Sequence, residues 1–148
     1  MRHLTTAEAA FSITVEARKG IIEGLLLCAM SAHQLTEDLR NFYGTHNYHL
    51  FGAELVLTDG IKYLADTANA YWLLTAIKSH LADCFAISDF CVAKLSVENQ
   101  TAHLVITDGN DHVLAHQQFD YTDFPIQSIT IYVIKSHPYS VILLPSEY

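Results

Sequence analysis

Two turns between Ala93 and Ala115 impose the same buried face on the strands they join. Asp108-Gly109-Asn110-Asp111 is a hairpin turn between two alternating runs. With Gly109-Asn110 at its tip, Thr107 faces His112, Val105 faces Leu114 and His103 faces His116. The preceding turn, at Asn99-Gln100, pairs Val97 with Ala102, Leu95 with Leu104 and Ala93 with Ile106. Both registers put Ala93, Leu95, Val97, Leu104, Ile106, Val113 and Ala115 on one side. A slip of one residue would turn every side chain over, so the agreement predicts an antiparallel meander with one face on a core. Ile129–Ile134 and Val141–Leu144 read as further strands joined through His137-Pro138, for a sheet of about four to five.

The first half carries helical patterns instead. Residues 5–29 read as a helix capped by Thr5 or Thr6, with Ile21, Leu25 and Cys28 on one face. Thr36 reads as the N-cap of a short helix that runs to Phe42 or Tyr43 and stops at Gly44. Glu54–Leu57 is a short strand, and Asp59 caps one or two helical turns over Ile61–Ala65. Ala70–Leu81 is the clearest helix, because Trp72, Leu73, Ala76, Ile77 and Leu81 recur at its period. Helices followed by strands predict an α+β fold, with the N-terminal helices packed on the C-terminal antiparallel meander.

Charge divides the chain in the same direction. The first 29 residues balance three basic against three acidic side chains, so the net charge of −8 falls wholly on residues 30–148. The sequence therefore predicts a helical extension over 1–29, outside an α+β domain over 30–148; Met30-Ser31 could also be a start of its own. An acidic surface repels phosphate, and no basic run opposes that, so direct nucleic-acid binding is not expected. The three cysteines, Cys28, Cys84 and Cys91, form no CxxC pair and read as reduced core thiols of a cytoplasmic protein. The longest apolar stretch, Gly20–Met30, is too short to cross a membrane and carries Glu23.

Chemistry-bearing residues are present without a complete pattern. His46 and His49 are spaced to share a metal only if helical. His103 and His116 fall opposite one another in the register above, on the polar face of the sheet. No serine-hydrolase elbow, phosphate-binding glycine loop or zinc-protease motif occurs, and no residue pattern implies a cofactor. Asp59, Lys62, Tyr63, Tyr71 and Trp72 combine a charge pair with aromatic side chains and form the candidate functional surface.

Several stretches carry a resemblance. They are Leu35-Thr36-Glu37-Asp38-Leu39, Phe42-Tyr43-Gly44-Thr45, and Thr58-Asp59-Gly60-Ile61-Lys62-Tyr63-Leu64-Ala65. Ala70-Tyr71-Trp72-Leu73-Leu74, Ala76-Ile77, Tyr121-Thr122-Asp123-Phe124-Pro125 and Leu143-Leu144-Pro145-Ser146-Glu147-Tyr148 complete the set. Together they resemble a family of small bacterial domains of unknown function found in cyanobacterial and mobile-element genomes. The resemblance covers residues 33–148 and implies a bacterial cytoplasmic setting, with no activity or catalytic residue attached.

Three functions are compatible with these features. The favoured one is a non-enzymatic binding or accessory protein whose acidic surface engages a basic partner protein. A metal-dependent, hydrolase-like enzyme would need at least three of His46, His49, Asp59, His103 and His116 to converge. A small-ligand module, or a homodimer formed through the sheet, is the third.

Overall fold

A computed structural model describes residues 32–148. The expected helix over 5–29 lies outside the described residues. Residues 32–39 are helical (α1), followed by β1 (His49–Leu50), β2 (Leu55–Leu57), α2 (Asp59–Thr67) and α3 (Tyr71–Phe85). Five strands complete the chain: β3 (Phe90–Glu98), β4 (Thr101–Thr107), β5 (Val113–Phe119), β6 (Ser128–Ile134) and β7 (Ser140–Leu143). A 3₁₀ turn, Pro145–Glu147, follows.

The α+β class is as expected, with a larger sheet. Its seven strands run in the order β1-β2-β7-β6-β3-β4-β5. Only β3-β4-β5 is a meander. The chain then crosses back so that β6 pairs with the free side of β3, and β7 continues from it. The last pairing, β2 with β7, is parallel, and the others are antiparallel.

One face of the sheet holds the core. Ile61 and Leu64 of α2 and Leu73, Leu74 and Ile77 of α3 are almost fully buried with Leu57, Leu95, Leu104, Ile106, Ile131 and Ile142 of the strands. This is the apolar stripe expected of α3, extended to Cys84. Leu35 and Leu39 bring α1 onto the same layer. Thr36 is inside α1, not at its cap, and its hydroxyl donates to the Ala32 carbonyl at 2.9 Å. Cys84 and Cys91 are free thiols in this core; desolvation pushes Cys91 up to about 11, so it packs as a small apolar group.

The β3–β4 register is the expected one, residue for residue. Asn99 and Gln100 both have positive φ, as a two-residue turn between twisted strands requires. The β4–β5 register differs by two residues: Val105 pairs with His116 and His103 with Gln118. Leu114 is an extra residue there, since Ile106 pairs with Ala115 while Thr107 pairs with Val113. The bulge keeps Ala115 facing the core, turns Val113 outward to 60% exposure, and packs Leu114 against the core in its place.

Candidate functional site

The N-terminus of α2 gathers three separated segments. Thr58 is its N-cap residue, but the Thr58 side chain does not cap. It donates instead to Glu147 Oε1 at 2.6 Å. Glu147 Oε2 accepts the Gly60 N–H at 3.1 Å, and Oε1 also accepts the Leu144 N–H at 3.1 Å. The helix is thus capped from the far end of the sequence, by a carboxylate placed where a helix N-terminus favours negative charge. Gly60 is needed for close approach, not for a turn. A Cβ on it would lie 2.6 Å from both Leu144 Cδ1 and Glu147 Oε1.

Asp59 is the first helical residue, not the cap, and faces the other way. Its Oδ2 accepts the backbone N–H groups of His46 at 2.9 Å and Asn47 at 3.3 Å. His49 Nε2 donates to its Oδ1 at 2.9 Å, and its own N–H donates to Thr45 Oγ1 at 2.9 Å. The His49 and His46 hydrogen bonds hold its carboxyl down to about 2. A hollow of about 490 Å³ opens beside it, walled by Phe42, Tyr43, Thr45 and His46. The carboxylate can only accept, so the His49 ring presents an Nε2–H to it and is held in place by that bond. The nearby Thr45 hydroxyl donates to the Asn47 carbonyl at 2.5 Å.

The other expected surface residues point in different directions. Lys62 Nζ donates to Tyr71 Oη at 2.6 Å and to Asp66 Oδ1 at 3.2 Å, and Tyr71 in turn donates to Asp66. These bonds raise the Lys62 ammonium above its ordinary value, the Tyr71 bond first, and lower Asp66. Tyr63 turns to α1 and donates to Asp38 Oδ2 at 2.5 Å. Trp72 leaves the group and packs edge-on against Phe119 and Phe124, with ring centres 5.0 and 6.2 Å away. Lys62 and Tyr71 therefore meet, whereas Asp59, Tyr63 and Trp72 each serve a different contact.

The four candidate metal ligands also divide. His49 reaches Asp59 through its ring, while His46 offers it only a backbone amide. His103 and His116 lie on the sheet face away from the helices, as diagonal neighbours and not directly opposed. Among the described residues, no three His, Cys, Asp or Glu side chains converge on one point.

That outer face carries a feature the sequence pattern concealed. Leu50, Val56, Val141, Ile134 and Phe90 are paired in succession across five strands. Paired residues share a face, so they form one apolar row. Leu143, Tyr132 and Val92 lie in the next row, and the Tyr148 ring rests 5.8 Å from the rings of Phe90 and Tyr132. A hollow of about 460 Å³ opens at one end, between Tyr48, Tyr139 and Pro138. Toward the opposite end of the strands the rows become polar, with Lys94, Ser96, His103 and Gln118. The available signal was in Ile129–Ile134 and Val141–Leu144. Both are apolar at every second position and at most of the positions between, the mark of strands covered on two faces.

The architecture is a helical layer on one face of a mixed sheet, clasped shut by its C-terminal turn. A family model described as "Family of unknown function (DUF6876)" matches residues 33–148, and the chain belongs to that family. The stretches that carried the resemblance include Thr58-Asp59-Gly60 and Pro145-Ser146-Glu147, which the fold brings into contact. No curated protein and no solved structure matches the chain.

Proposed function

We propose that this domain is a non-enzymatic binding protein, and that its partner is a protein seated on the open face of the sheet. The observation that carries the reading is the five-strand apolar row from Leu50 to Phe90, on the face that α1, α2 and α3 leave uncovered; Leu50 is exposed, Val141, Ile134 and Phe90 are half-buried, and Val56 is buried between them. Isolated apolar residues on a surface need no explanation, but a contiguous row flanked by polar ones is the anatomy of an interface.

The rim supplies the partner's chemistry. Glu54, Asp89, Asp108 and Asp111 stand at the end of the sheet where the apolar row lies, with Lys135 beside Asp89 and Lys78 of α3 beside Glu54 as the cations among them. A partner segment with apolar anchors between lysine or arginine residues is complementary to that arrangement. The same rim disfavours a second copy of this chain, since the carboxylates would face carboxylates. The free thiols and the bacterial family resemblance support a cytoplasmic setting in a bacterium. The observation on the side of the enzyme alternative is the His49–Asp59 pair.

The test compares two baits in the native host, the wild-type chain and Leu50→Lys/Val141→Lys. Both positions face outward, so the variant is expected to keep the wild-type circular dichroism spectrum and melting temperature. Proteins held by the wild type, released by high salt and lost with the folded variant support the reading. Recovery of the same proteins by both baits overturns it.

A further inference from the structure

Among the described histidines, His103 and His116 are the two whose rings contact one another. His103 pairs with Gln118 and His116 with Val105, so the two histidines are diagonal neighbours on the outer face. Diagonal side chains on adjacent strands lie about 7–8 Å apart at Cα, within reach of one another's ring. The ring centres are 5.9 Å apart with planes at 85°, and both residues are exposed. Neither ring has a hydrogen-bonding partner among the described residues, whereas His49, His80 and His112 are each bonded to a side chain.

We propose that His103 and His116 form a binding site for one divalent transition-metal ion of the imidazole-preferring kind, zinc, nickel or copper. Metal–nitrogen bonds of about 2.0–2.1 Å place an imidazole ring centre roughly 3.2 Å from the ion. Two such rings stand about 5.2 Å apart at a tetrahedral angle and about 6.4 Å apart when collinear. The observed separation lies between these limits. The rings stand edge to face, so one must turn about its terminal torsion, which is soft in histidine. The backbone register already holds the two strands at the required spacing.

Two imidazoles leave further coordination positions for water or for an exogenous donor. Gln118, paired with His103 on the same face, supplies a side-chain oxygen that can orient a bound water. Two neutral nitrogen ligands select against calcium and magnesium, which require oxygen donors. The site lies in the polar rows of the outer face, apart from the apolar row assigned to the partner, so its test is independent of that reading.

The experiment is a calorimetric titration of the untagged full chain with zinc chloride, beside His103→Gln, His116→Gln and the control His46→Gln/His112→Gln. One ion per chain is expected. Either single variant should weaken binding at least about tenfold, while the control should match the wild type. In a parallel NMR experiment, substoichiometric copper(II) should broaden the imidazole signals of His103 and His116 before the others. Ligation requires neutral imidazole, so affinity should fall on acidification. Equal affinity in the wild type and His103→Gln overturns the proposal. So does copper broadening that spares these two rings, and both readouts are valid in folded protein whatever partner the sheet face takes.

Discussion

Glu147 Oε2 accepts the backbone N–H of Gly60 at 3.1 Å, across a separation of 87 residues. The same carboxylate receives the Thr58 hydroxyl, and Thr58 is 2% exposed. The start of α2 therefore depends on a side chain from the 3₁₀ turn. Glu147→Ala leaves a buried hydroxyl and a helix-terminal amide without their acceptor. It is expected to cost about 1–3 kcal/mol in urea unfolding, and Glu147→Gln less, because the amide oxygen can still accept.

Gly60→Ala separates helix propensity from packing. Propensity alone favours alanine inside a helix by about 1 kcal/mol. The added methyl would meet Leu144 and Glu147 at 2.6 Å, so the clasp must move. The expected sign is destabilising, by about 1–3 kcal/mol, read as a lower melting temperature. A stabilised variant would show that the clasp does not hold the helix.

Asp59 predicts a pH dependence. Its carboxyl is held at about 2 against an ordinary value of 3.8, so the folded state favours the ionised form. That contribution is fully present above 3.8 and is lost as pH falls toward 2. Asp59→Asn should therefore be less stable than wild type at pH 7, and the difference should shrink steadily between pH 4 and pH 2. Urea midpoints measured across that range check the sign.

Val113 tests the bulge. In the register read from the turns it is a core residue; in the structure it is 60% exposed beside Thr107. Val113→Thr should change stability by less than about 0.5 kcal/mol, as surface substitutions do. Ile106→Ala, at 0% exposure, should cost about 2–5 kcal/mol.

The β3–β4 pairing was legible because Asn99 and Gln100 form a two-residue turn, which admits one register. The β4–β5 pairing was not, since Asp108–Asp111 makes a longer turn with positive φ at both Gly109 and Asp111, and a bulge follows it. α3 was legible from its period; β1, with two residues, has no period to read. The site divides in the same way. Local roles were within reach, such as the Asp108 side chain bonding the Asn110 amide. The Glu147 cap was not, because no local rule links residues so far apart. Asp59 looked like a helix cap because it stands at the right place, and only the fold shows its oxygens turned toward His46 and His49.

The parallel contact between β2 and β7 bears on how the chain is made. β2 has β1 on one side and β7 on the other, and α2 begins immediately after it. A ribosome delivers β1, β2 and α2 early, yet the carboxylate that caps the helix is encoded 87 residues after Gly60, just beyond their neighbour in the sheet. Until residue 147 has left the exit tunnel, a two-strand ribbon of two and three residues is too small to hold itself together. Folding of this half of the domain thus waits for β7 and the 3₁₀ turn, while the β3-β4-β5 meander can form as it emerges.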